Sequence, residues 1–107
     1  MKNIFIFFVF ISMVLEAKQM DFDYGLTGHY YNNNSLSDSE TFNRVDSLIN
    51  FNWYNGSPDP SINSDNFSIR WSGRVEAPYT ETYTFFLEGD DGVRLWVNEQ
   101  EMFTGGW

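Results

Sequence analysis

Beyond residue 24 the chain alternates apolar and polar positions rather than spacing them as a helix does. In residues 67–75, Phe67, Ile69, Trp71, Gly73 and Val75 fall on one face, and Ser68, Arg70, Ser72 and Arg74 on the other. That period of two predicts a half-buried β-strand. Pro78 interrupts, and residues 81–87 read as a second β-rich run. Residues 89–92 supply a turn, and Val93, Leu95 and Val97 alternate inward again before a short Met102-Phe103 run. Upstream, residues 25–31 predict an opening strand and 47–53 a further short one. Residues 32–40 read as a polar loop, and 38–49 have room for a short helix. Residues 55–61 carry two prolines and a glycine, a strong loop signal. Short strands between turn signals predict an all-β fold, an antiparallel sandwich or barrel.

The start of the chain breaks this pattern. Met1-Lys2-Asn3 gives a positive beginning, and residues 4–15 are almost continuously apolar. Ala17 follows, where a signal peptidase wants a small residue, with Leu15 two positions before it. Residues 1–17 therefore read as a secretory leader, because a spanning helix needs about 20 apolar residues. The organisation predicted is a leader over 1–17, a short lead over 18–24, and one β domain over 25–107 that reads as cut short at its C-terminal end. A location outside the cell, secreted or at the surface, follows from the leader, with no membrane insertion once it is removed.

Composition narrows the chemistry. The chain of 107 residues has no cysteine, so a small exported domain must do without disulfides. Its aromatic fraction of 20 % points to aromatic packing as the substitute. The net charge of -9 disfavours nucleic acid and anionic membranes as partners. His29 is the only histidine, which rules out a zinc site built on histidines within one chain. Asp90 and Asp91 are adjacent, at the turn before a strand. Adjacent carboxylates repel unless a cation or donor lies between them, and calcium prefers such oxygen ligands. The Asp-Gly step is equally a tight-turn signal, which needs only one of the two acids. Neighbouring residues on one turn cannot straddle a glycosidic bond, so the pair does not read as a glycosidase acid/base couple, and no enzyme activity is expected. Trp53, Tyr54 and Trp96 are candidates to stack on sugar rings, with Trp96 favoured by its position across the strand from Val93, Leu95 and Val97. Trp71 reads as core.

Gly25-Leu26, His29-Tyr-Tyr31, Phe51-Asn-Trp53, Gly56-Ser-Pro58, Asp65-Asn-Phe-Ser-Ile-Arg-Trp-Ser-Gly73, Thr82-Tyr-Thr-Phe85 and Gly89-Asp-Asp-Gly-Val-Arg-Leu-Trp-Val97 stand in the order found in one known module. On these motifs, from Gly25 to the end, the chain resembles a PA-fourteen domain, the module named after the anthrax protective antigen. The resemblance implies a β-sandwich or barrel that binds glycan or polysaccharide without catalysis. It also implies calcium held by Asp90 and Asp91 through a cis peptide, with the metal in turn holding sugar hydroxyls. Trp96 and Asn98 are the ligand-binding residues expected beside the pair, and Asp65 a further oxygen donor. The alternatives are a structural or protein-interaction module of a surface or toxin-like protein, or the appended domain of a larger secreted glycosidase. Asn98-Glu-Gln100 stands where many relatives carry an Asp-Gly or Asn-Gly turn.

Overall fold

The computed structural model describes residues 4–12 and 24–106, so that residues 1–3 and 13–17 of the predicted leader and 18–23 of the predicted lead lie outside the described residues. Six strands form one sheet: β1 (Ile4–Ser12), β2 (Leu26–Tyr31), β3 (Phe42–Asp46), β4 (Ser68–Glu76), β5 (Gly92–Val97) and β6 (Gln100–Gly105). Their spatial order is β3-β2-β4-β1-β5-β6. The fold is all-β, with no helix among the described residues. β2 pairs antiparallel with β3 and β4, and β5 with β6. β1 lies between β4 and β5 and runs parallel to both.

The core lies on one face of this sheet. Alternation along β4 sends Ile69 and Trp71 inward, where they join Phe67, Tyr30 and Ile62 as a buried cluster. The cover is the irregular segment 47–67, which lays Ile49, Phe51, Trp53 and Ile62 across the sheet. The result is an incomplete sandwich, with one sheet and a loop layer where a second sheet would stand. Phe51 stacks between Trp53 at 5.0 Å and Trp71 at 6.1 Å, and Trp53 meets Phe67 edge-on at 5.6 Å. Such stacked and edge-on pairs add to simple burial. Asn32 fastens the loop layer, donating to the Ser61 carbonyl at 2.9 Å and accepting from the Asn63 amide at 2.8 Å.

A buried carboxylate organises the β2–β3–β4 end. Asp46 accepts from Trp71 Nε1 at 2.7 Å, from Arg44 Nε at 2.6 Å, and from the Tyr30 hydroxyl. Arg44 also lies over the Tyr30 ring, 4.8 Å from its centre, and Tyr30 stacks on Phe42. Burial pushes the Tyr30 hydroxyl far above its ordinary range, and the bond to Asp46 pushes it further. Burial works against the charge of Arg44, but Asp46 and the other partners outweigh it and raise its pKa. Gly28 lies beneath this cluster because a Cβ there would stand 2.8 Å from Asp46 Oδ2 and 2.9 Å from Trp71 Nε1.

Four local expectations need correction. The helix considered for 38–49 is instead β3, a strand with Phe42, Arg44 and Asp46 turned inward. The strands expected at 47–53 and 81–87 are irregular. Both alternate in sequence, but alternation reports an extended chain and not a ladder partner, and neither segment has one among the described residues. Ser68, expected on the polar face, is fully buried, since loop 32–38 covers that face. Its hydroxyl donates to the Asn33 carbonyl at 2.6 Å and accepts from the Leu36 amide.

The β5–β6 hairpin closes through Asn98 and Glu99, at φ of 49° and 65°. A two-residue turn with both φ positive favours glycine second, because a side chain there is strained. Glu99→Gly is therefore expected to stabilise the chain by about 1 kcal/mol in urea titration. At the other edge, His29 Nδ1 donates to Glu40 Oε2, and Asn43 Nδ2 donates to Glu40 Oε1 at 2.8 Å. The Asn43 bond first and the His29 bond second hold the Glu40 carboxyl below its usual range. A carboxyl depressed in the folded state stabilises above its unfolded pKa of about 4.3 and ceases to do so as acid protonates it. The Tm difference between the natural chain and Glu40→Gln should thus be constant above about pH 5 and vanish on further acidification.

Candidate functional site

Asp90 and Asp91 sit side by side at the entry to β5, and both are exposed. The peptide bond joining them is cis, the geometry that the resemblance implies. Two features hold this corner. Gly92 and Val93 are buried at the start of β5, and Gly106, just past β6, packs directly on the Asp91 backbone. A Cβ at Gly106 would lie 2.2 Å from the Asp91 carbonyl oxygen, and its φ of 69° also suits glycine. The carboxylates thus project from a backbone fixed at both hairpin strands.

Asp90 stands at the border of an open groove of about 1080 Å³. Phe51, Trp53 and Tyr54 line it from the loop layer, and Phe85, Phe86 and Glu88 from the segment before β5. Buried Phe67, Trp71 and Leu95 form its floor. Tyr54 is 86 % and Phe86 91 % exposed, so rings lie open on both sides. Tyr54 owes its position to a tight turn, in which the Gly56 amide donates to the Trp53 carbonyl at 2.7 Å and Tyr54 itself has φ of 51°. Exposed aromatic faces beside carboxylates and amides suit a ligand with both C–H faces and hydroxyls.

The structure does not bring together all the residues that the sequence nominates. Trp96 is half-buried on the face of β5 opposite Leu95, away from the groove. Asn98 lies in the hairpin turn at the far end of β5, six strand residues beyond Asp91, which is about 20 Å. Asp65 is half-buried, and its Oδ1 accepts from the Asn66 amide at 2.8 Å. Trp53 and Tyr54 do line the groove, although Trp96 had the better claim from alternation. Phe86 escaped notice because nothing in its own stretch of sequence shows that it faces loop 47–56.

As a metal site, the pair fits calcium in donor type, since both side chains offer hard oxygens. Among the described residues there is no group of three or more His, Cys, Asp or Glu that could hold an ion. Two carboxylates fall short of six to eight ligands, so carbonyls, waters or ligand hydroxyls would have to complete the shell.

Residues 23–104 match the PA14 domain, and the chain belongs to that family of β modules. It is also similar to the anti-sigma-I factor RsgI3 of Acetivibrio thermocellus, with 54 % identity over 74 residues. That stretch is 69 % of this chain but only 11 % of the relative, so the chain spans about a tenth of that protein's length. No solved structure matches the chain.

Proposed function

We propose that this domain is a non-catalytic carbohydrate-binding module in which Asp90 and Asp91 hold calcium and the ion engages sugar hydroxyls. The observation that carries this reading is the exposed, adjacent pair at the border of an aromatic groove, in a chain of the PA14 family. Calcium would complete its shell with ligand hydroxyls, and Trp53, Tyr54 and Phe86 would supply faces for the sugar rings. The groove residues do the orienting, the pair does the charge neutralisation, and no proton transfer is required of either. The leader reading of residues 1–17 puts the domain outside the cytoplasm. Affinity electrophoresis of the full chain through gels containing soluble plant or microbial polysaccharides tests the proposal. Retardation by at least one polysaccharide is expected in calcium and is expected to disappear with chelator or in an Asp90→Asn/Asp91→Asn chain. Retardation unaffected by chelator would refute the calcium role, and no retardation by any polysaccharide would refute glycan binding.

A second reading concerns the setting rather than the ligand. The relative that shares this stretch is named an anti-sigma factor. By that likeness the module belongs to a regulatory protein, in which ligand binding reports on the surroundings, rather than to a glycosidase that it helps to dock.

A further inference from the structure

The sheet is continuous only through its first strand. All nine residues of β1 are in register with β4, from Ile4 opposite Ser68 to Ser12 opposite Glu76, and its first six with β5, from Ile4 opposite Gly92 to Val9 opposite Val97. No ladder joins β4 to β5 directly, so β3-β2-β4 and β5-β6 are two half-sheets bridged by Ile4–Ser12. At the bridge, Phe5 and Phe7 take the register positions of Ile69 and Trp71 on one side and of Val93 and Leu95 on the other. All four of those neighbours are buried. The same nine residues are the apolar heart of the stretch whose sequence reads as a leader. A central parallel strand and a leader have the same apolar signature, because both must be apolar without interruption.

From this coincidence we infer that Ile4–Ser12 has two mutually exclusive places: between β4 and β5 in the folded chain, or in an apolar membrane environment as a leader. The position between the half-sheets is a strand-acceptor slot that the chain fills with its own amino-terminal segment. Folding then withholds the segment from membranes, since its backbone groups are spent on two ladders. Withdrawal reopens two facing edges, each with unpaired amides and carbonyls that call for an extended strand. The inference rests on the leader reading and not on calcium or glycan binding, so either idea can fail without the other.

The test uses the full chain and two readouts. In amide hydrogen exchange of the native protein, residues 4–12 should be protected as strongly as 69–71 and 93–95. In flotation with neutral phosphatidylcholine vesicles, which the net charge of -9 does not repel, the native chain should remain unbound. The same chain diluted from urea directly onto vesicles should float with them, as should a Trp71→Ala chain whose slot wall is weakened. Freely exchanging amides in 4–12 beside protected β4 and β5 would overturn the proposal, as would a native chain that floats with its sheet still protected. Protection of 4–12 that depends on protein concentration would assign the slot to a second copy and equally overturn it.

Discussion

An Asp46→Ala chain is expected to be about 3–5 kcal/mol less stable than the natural one, a large fraction of the stability of a domain of this size. Asp46 is 7 % exposed and accepts from three side chains at once. Removing it leaves a buried indole N–H and a buried phenol that each lose a partner water cannot easily replace, and a part-exposed guanidinium without its counter-charge. A void also opens above Gly28, where Asp46 Oδ2 now packs. Asp46→Asn should be milder, because its one carbonyl oxygen still accepts from Trp71 or Tyr30, although the charge that balances Arg44 is gone. Urea titration of the three chains checks the order natural, Asn, Ala. A loss below about 1 kcal/mol in the alanine chain would show that the cluster is not what holds the β2–β3–β4 end together.

Calcium should raise the Tm of the full chain, and the Asp90→Asn/Asp91→Asn chain should not respond. A ligand at a hundredfold excess over its Kd stabilises the folded state by about 2.7 kcal/mol. For a domain near 90 residues that is a shift of more than about 10 °C. Two neighbouring carboxylates with an ion between them are neutralised, while without it they repel, so the variant should also melt slightly above the natural chain in chelator. Magnesium makes the comparison sharper. It demands near-ideal octahedral geometry and gives up water reluctantly, so it should shift the natural chain much less. An equal shift in both chains would mean that the ion binds elsewhere on this acidic surface.

Several elements are legible in the sequence because side-chain burial alone decides them. β4 and β5 alternate apolar inward residues with Ser, Arg and Trp, and β2 sets Gly28 and Tyr30 against Thr27 and His29. β3 is hidden because two of its three inward positions are Arg44 and Asp46, which satisfy each other and so do not read as core. β1 is hidden for the opposite reason: an uninterrupted apolar run is shared by leaders and by strands with neighbours on both sides. Residues 81–87 mislead because Tyr83, Phe85 and Leu87 alternate correctly while no neighbour strand completes the ladder. At the site, Asp90 and Asp91 are evident from adjacency, a local property. The groove beside them is not, since Trp53 and Tyr54 reach it only through the path of loop 47–67 across the sheet. Alternation along β5 separates Trp96 from Leu95 but says nothing about which face meets the groove, and that is why the sequence favours Trp96 over Trp53 and Tyr54 and misses Phe86.

The central claim is calcium-assisted glycan recognition at Asp90 and Asp91, and calorimetric titration of the full chain measures it most directly. A soluble polysaccharide that retards the chain in gels would be titrated in calcium, in chelator, and against Asp91→Asn. The account predicts saturable binding in calcium, and its loss under the other two conditions. Equal binding under all three would contradict it.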